Sequence, residues 1–315
     1  FQAPAISTES TTEGEGVSKE DWDRMSSKIS KLPVSDYPSM ERSDIDWLVS
    51  PDSYKAEVMS GADGKSIVIT NGLTSRVFRI TPNLATVDIV NHMSGENMLR
   101  AVSSEGELTI NGEKWSLGGL EGQPERGYLK LEWIDEMTVA DRSFIVEDFE
   151  ISDSIHSLAW ARSRWALNKE LPTGKSLTFT MRGTGDVSNI KVKLHFDIYD
   201  HVPVIRKHME IFNESDEPVN LDSFKLEHLF FAEPESTEGD MSRRYLPNIH
   251  IESDYTMGGT FWEYTGDRTE HWTTDKEYTS QCNYGLNTLC TLDVYNEIGP
   301  DVEITKDAPF SSYKV

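Results

Sequence analysis

Cysteine is nearly missing from this sequence: Cys282 and Cys290 are the only two in 315 residues. Two thiols exclude both a disulfide-rich scaffold and a zinc site built from four cysteines. No run of about 18 apolar residues exists, so no helical membrane insertion is expected. Basic side chains are scarce as well, 30 against 54 acidic ones, for a formal net charge of −24. Nucleic acids are bound by clustered Lys and Arg that release counterions, and anionic membrane surfaces attract the same residues. Neither is an expected partner, whereas uncharged carbohydrate remains open. The Gly-rich phosphate loop, the His-Glu-x-x-His pair and the Gly-x-Ser-x-Gly nucleophile turn are all absent. Gly183-Thr184-Gly185 reads as a turn between strands and not as a dinucleotide fingerprint. No cofactor and no metal is expected. Among so many acidic residues, no carboxylate pair can be singled out for glycoside hydrolysis.

What the chain does contain is enough apolar and aromatic material for a core, with 8 Trp, 11 Tyr and 12 Phe. Residues 1–50 read as an acidic flexible arm with a short helix, and residues 51–315 as the main domain. The first sixteen residues are too polar to cover a core. Ser18 then precedes a helical stripe of Trp22, Met25, Ile29 and Leu32, which Pro33 and Pro38 close. The helix packs either on its own domain or on a neighbouring copy, which would make the arm a route to a homo-oligomer, alongside exposed sheet edges.

Beyond residue 53 the hydrophobic period changes to two. Val192, Leu194, Phe196 and Ile198 alternate with Lys191, Lys193, His195 and Asp197, the pattern of a half-buried strand. Leu177, Phe179 and Met181 alternate in the same way, as do Leu129, Leu131 and Trp133. Asp63-Gly64, Asn71-Gly72 and Asn111-Gly112 fall between such runs and predict hairpins, with type I′ turns favoured by their tolerance of positive φ. Alternation slips between residues 219–221 and 224–226, which predicts a β-bulge. With about fourteen to sixteen strands and no strand–helix–strand rhythm, the fold class is all-β, a large antiparallel sandwich of two stacked sheets.

Three groups of side chains are candidates for a site. His195, His208 and Glu227 lie on successive predicted strands and would form the acid–base set of a sugar mutarotase or epimerase, if they meet; otherwise they are polar-face strand residues. Seven aromatic residues crowd positions 255–284. Of these, Tyr255, Trp262, Tyr264 and Trp272, with His271, are candidates for carbohydrate contact, since sugar C–H faces stack on rings; the alternative is that they fill the core beneath a long loop. Cys282 and Cys290 flank a turn-forming stretch and are a disulfide candidate, with two free thiols as the alternative. Asn213-Glu214-Ser215 makes Asn213 a glycosylation candidate.

Several longer stretches resemble a known family. Ile69-Thr70-Asn71-Gly72-Leu73-Thr74-Ser75-Arg76-Val77-Phe78 is similar to the opening strand pair of melibiase-type alpha-galactosidases (glycoside hydrolase family 36-like). Asn111-Gly112-Glu113-Lys114-Trp115-Ser116-Leu117-Gly118-Gly119-Leu120 resembles the Gly-Gly loop of the same domain. The run from Leu194 to Lys207 resembles its next signature. The resemblance implies a galactose-mutarotase-like β-supersandwich, the domain that precedes the catalytic (β/α)8 barrel. It implies a non-catalytic, carbohydrate-associated role, because the family's catalytic aspartates belong to the barrel and no residue here matches their motifs. Ala308-Pro309-Phe310-Ser311-Ser312-Tyr313-Lys314-Val315 looks like the last strand before that barrel. The other reading is a structural or self-assembling protein that reuses the sandwich alone. A chain that opens at Phe1 and resembles exported hydrolases is expected to be extracellular or periplasmic, its signal peptide already removed.

Overall fold

A computed structural model describes residues 16–38, 46–154, 171–233, 247–255, 269–278 and 288–315. The first sheet has five strands in chain order: β1 (Glu57–Ser60), β2 (Ser66–Thr70), β3 (Thr74–Arg79), β4 (Ala85–Asn91) and β5 (Glu96–Asn97). All neighbours are antiparallel. The β2–β3 hairpin forms as predicted, but its turn differs. Gly72 has a φ of 80°, whereas Asn71 is not in the left-handed region, so the turn is not type I′. Asn71 shapes the turn with its side chain. Its Oδ1 accepts from the N–H groups of Leu73 and Thr74, and its Nδ2 donates to the carbonyls of Tyr199 and Val202.

The second sheet has nine strands. In spatial order they are β19 (Val302–Ile304), β15 (Val219–Lys225), β7 (Gly106–Ile110), β8 (Glu113–Leu117), β11 (Ser143–Asp153), β12 (Gly174–Arg182), β13 (Ile190–Tyr199), β14 (Ile205–Asn213) and β20 (Phe310–Ser311). Only β8 and β11 run parallel within it among the described residues. The β7–β8 turn is the expected one, with Asn111 and Gly112 at φ of 50° and 82°. The register shift between Leu221 and Ser223 is the predicted bulge. Along β13 the apolar set Val192, Leu194, Phe196 and Ile198 is fully buried.

These two sheets stack face to face. Phe78 from the first meets Phe179 and Phe196 from the second, with ring centroids 5.1 and 4.6 Å apart. Two further layers depart from the expected pair. A four-stranded sheet, ordered β17 (Glu270–Thr273), β18 (Thr291–Val294), β16 (Glu227–Phe231), β6 (Leu99–Ala101), closes one end. The short pair β9 (Leu120–Glu121) and β10 (Thr138–Val139), with the 3₁₀ segment Leu131–Glu136, covers the back of the first sheet. That segment corrects the strand expected at Leu129, Leu131 and Trp133. Leu131, Ile134 and Met137 pack at intervals of three on Val68 and Val77, a spacing that suits a 3₁₀ turn.

The N-terminal helix, α1 (Lys19–Ile29), begins where the sequence indicates, with the Ser18 hydroxyl accepting from the Asp21 N–H. Over residues 16–38 the chain is not a separate arm. Met25 and Ile29 are buried in the main core, and Lys28 reaches Asp148 at 2.6 Å. Val34 pairs with Ser60, and the Tyr37 hydroxyl donates to Asp88. The apolar face of α1 is thus covered by its own sandwich.

Candidate functional site

Three strands carry an apolar stripe interrupted by one charge. On β3 it is Arg76, before Phe78; on β14 it is Lys207, before Met209 and Ile211; on β16 it is Glu227, before Leu229 and Phe231. Because side chains on a strand alternate sides, each charge is carried inward with its apolar neighbours. They meet Glu105, which immediately precedes β7, and the four form a buried cluster.

Within it every charge has an opposite. Arg76 places Nη1 2.5 Å from Glu227 Oε2 and Nη2 2.8 Å from Glu105 Oε2, while its Nε donates to the Thr86 hydroxyl. Lys207 Nζ donates to Glu227 Oε1 at 2.7 Å and to the Glu105 carbonyl. Both cations lie over the Phe196 ring. Burial would push the Glu227 carboxyl up, but Arg76 and Lys207 together hold it down at about 2. Burial lowers the Lys207 ammonium below the usual lysine value, and Glu227 and Glu105 oppose that shift. Arg76, Lys207 and Glu227 line a cavity of about 450 Å³ whose other walls are largely apolar, among them Ile89, Met98 and Leu292. Two cations balance two anions, so the cluster is neutral as a unit.

The set His195, His208 and Glu227 is not brought together. His195 and His208 are cross-strand partners, stacked 4.4 Å apart, but they face away from the core. His208 follows Lys207, which reaches Glu227 from the inner face, so the sheet separates the imidazoles from the carboxylate. His195 sits between the Thr178 hydroxyl and Glu210. Burial lowers both imidazoles, His208 to about 4, where its stacked neighbour adds to the shift. The acid–base triad is therefore corrected to a neutral histidine pair on the outer face and a separate interior ion cluster.

The aromatic candidates are dispersed. Trp272 turns to the core side of β17 against Phe231. His271, one residue earlier, takes the other face and stacks on Tyr295 at 3.9 Å. Tyr255 is 44% exposed and leans on Tyr313. Trp262 and Tyr264 lie outside the described residues, and so does Cys282. Among the described residues Cys290 is a free buried thiol, and its Sγ accepts from Arg100 at 3.3 Å. Asn213 is corrected as a glycan acceptor. It is 3% exposed, and its Nδ2 already donates to the carbonyls of Glu217 and Ile304, holding the turn after β14. Among the described residues no group of His, Cys, Asp and Glu is arranged to hold a metal ion.

Arg76, Glu105 and Lys207 were not among the residues singled out from sequence. For Arg76 and Lys207 the available signal was a charge in phase with an apolar stripe, since such a charge must be neutralised inside; Glu105 is out of phase with Leu108 and Ile110 and offered no such signal.

No protein-family model matches the chain, and no curated protein matches it. Among solved structures, it is similar to the galactosidase domain of the alpha-galactosidase-sucrose kinase AgaSK, with a TM-score of 0.33 and 11% identity over 55% of this chain. It is also similar to the GH36 alpha-galactosidase AgaB from Geobacillus stearothermophilus, with a TM-score of 0.40 and 10% identity over 82% of this chain. The chain spans 26% of the first and 40% of the second, so what it resembles is part of each glycoside hydrolase and not the whole.

Proposed function

We propose that this chain is a non-catalytic, carbohydrate-associated sandwich domain of an alpha-galactosidase-like glycoside hydrolase. The observation that carries the non-catalytic part is the buried cluster. Glycoside hydrolysis needs one carboxyl protonated and another ionised beside the scissile bond. Here the two carboxylates of the cluster, Glu105 and Glu227, are both tied into ion pairs with Arg76 and Lys207. The cluster joins β3, β14 and β16, so its role in this reading is to lock the sheets together. The family words quoted above fall on the β2–β3, β7–β8 and β13–β14 hairpins, one in the first sheet and two in the second. The test is incubation of the purified 315 residues with aryl alpha-galactosides. No release of the aryl group is expected, and turnover that vanishes on changing one carboxylate of the chain would overturn the proposal.

A further inference from the structure

The outer face of the four-stranded sheet carries a second concavity, unrelated to the interior cavity. Its floor follows from register. His228 on β16 pairs with Asp293 on β18, and Thr291 pairs with Phe230 on one side and Thr273 on the other. Paired residues share a face, so all five point away from Leu229, Phe231, Leu292 and Val294, which fill the core. The loop after β9, Arg126 and the segment Thr274–Glu277 wall the cleft, whose volume is about 710 Å³, within the usual range for small-molecule sites.

Two features of this floor call for a ligand. Thr291 is 4% exposed, yet its Oγ1 has no hydrogen-bond partner among the described residues. A buried hydroxyl left unsatisfied costs free energy that a bound polar group would recover. The His228 ring bonds through Nδ1 to Asp293 Oδ1 at 2.5 Å. That bond places a proton on Nδ1 and turns Nε2 away from the carboxylate, as a second hydrogen-bonding atom of the floor.

Charge selects the class of ligand. Arg126 is engaged by Asp275 and Glu277, and Asp293 by Lys225 and His228. Glu121, Asp275, Glu277 and Asp293 outnumber the two cations of the lining, Arg126 and Lys276, so the cleft carries a net negative charge that disfavours an anion. A ligand with many hydroxyls and no charge both donates and accepts without meeting that field. We propose that this cleft binds an uncharged sugar, with the Thr291 hydroxyl as a recognition contact. The proposal rests on the carbohydrate-associated reading above and gives it a location whose described lining does not include Tyr255.

The test is ligand-observed NMR titration of the full chain with the methyl α-glycosides of galactose, glucose and mannose, and with a sulfated galactoside as the anionic control. At least one methyl glycoside is expected to bind. Thr291→Val, which keeps the shape and removes the hydroxyl, should weaken that binding about tenfold while leaving the melting temperature unchanged or higher. Thr291→Ser should restore it. Equal binding by the wild type and Thr291→Val would overturn the cleft but leave the carbohydrate reading standing. Binding of none of the methyl glycosides would overturn both. A preference for the sulfated sugar would overturn the uncharged class.

Discussion

Lys207 and His208, joined by one peptide bond on β14, serve opposite sides of the same sheet. The Lys207 Nζ lies 2.7 Å from Glu227 in the interior, while the His208 ring stacks 4.4 Å from His195 on the outer face. The pleat of the strand assigns the two residues to unrelated electrostatic settings. One belongs to an ion cluster that holds three strands together, and the other is an imidazole that burial keeps uncharged near neutral pH.

Removing one member of the cluster should expose its partners as uncompensated buried charges. Lys207→Met is expected to lower stability by about 3–5 kcal/mol, measured by urea denaturation. Adding Glu227→Gln restores the balance between Arg76 and Glu105, so the double variant should lose less than the sum of the two single changes. Strictly additive losses would mean that the residues do not act as a unit.

Asp88 and His208 should bend the pH dependence of stability in opposite directions. Burial raises the Asp88 carboxyl from 3.8 to about 7. The folded state then takes up a proton that the unfolded state does not, so this group makes the protein more stable as pH falls from about 7 to 4. Burial lowers His208 from 6.5 to about 4, so this group makes the protein less stable as pH falls through 6.5 towards 4. The two groups therefore offset one another between pH 7 and 4, while His195 and His92, also lowered by burial, add to the loss on the histidine side. Asp88→Asn should reveal a loss of stability on acidification, and His208→Gln a gain. Below about 4.5, protonation of Glu227 removes its contribution as pH approaches 2. Thermal melts across the range read all three, and parallel curves for both variants would contradict the assignment.

The helix should behave as part of the core. Met25→Ala empties a fully buried position and is expected to cost about 2–5 kcal/mol, against about 1 kcal/mol for loss of the cap in Ser18→Ala. A Met25→Ala variant as stable as the wild type would return residues 16–38 to the status of a dispensable arm.

Cys290 should be chemically silent in the folded protein. Burial raises its thiol pKa, against the nearby Arg100, and so reduces the reactive thiolate. Maleimide labelling followed by peptide mass spectrometry is expected to modify Cys290 slowly under native conditions and fast in urea. Rapid native labelling would show that the Arg100 contact is not kept in solution.

What the sequence by itself determined is local: where the period of two runs, where Asn111-Gly112 turns the chain, where Ser18 starts a helix and where the β15 pairing slips. These features depend on side chains a few residues apart, and their signals survive without knowledge of the partners. Tertiary structure decided the rest. All five residues of β2 are buried, because covering layers pack on both faces of its sheet, and the sequence did not say which layers those would be. Leu129, Leu131 and Trp133 alternate like a strand, yet the chain there winds into a 3₁₀ turn because Ile134 and Met137 are drawn to the same core. Glu227 carried no sign of its partner, since Arg76 is 151 residues earlier in the chain. The unsatisfied hydroxyl of Thr291 is equally invisible in sequence, because it arises only when β16, β17 and β18 are laid side by side. Electrostatic compensation and burial are properties of what surrounds a residue, and the sheet order that supplies those surroundings is set by long-range pairing that no local pattern encodes.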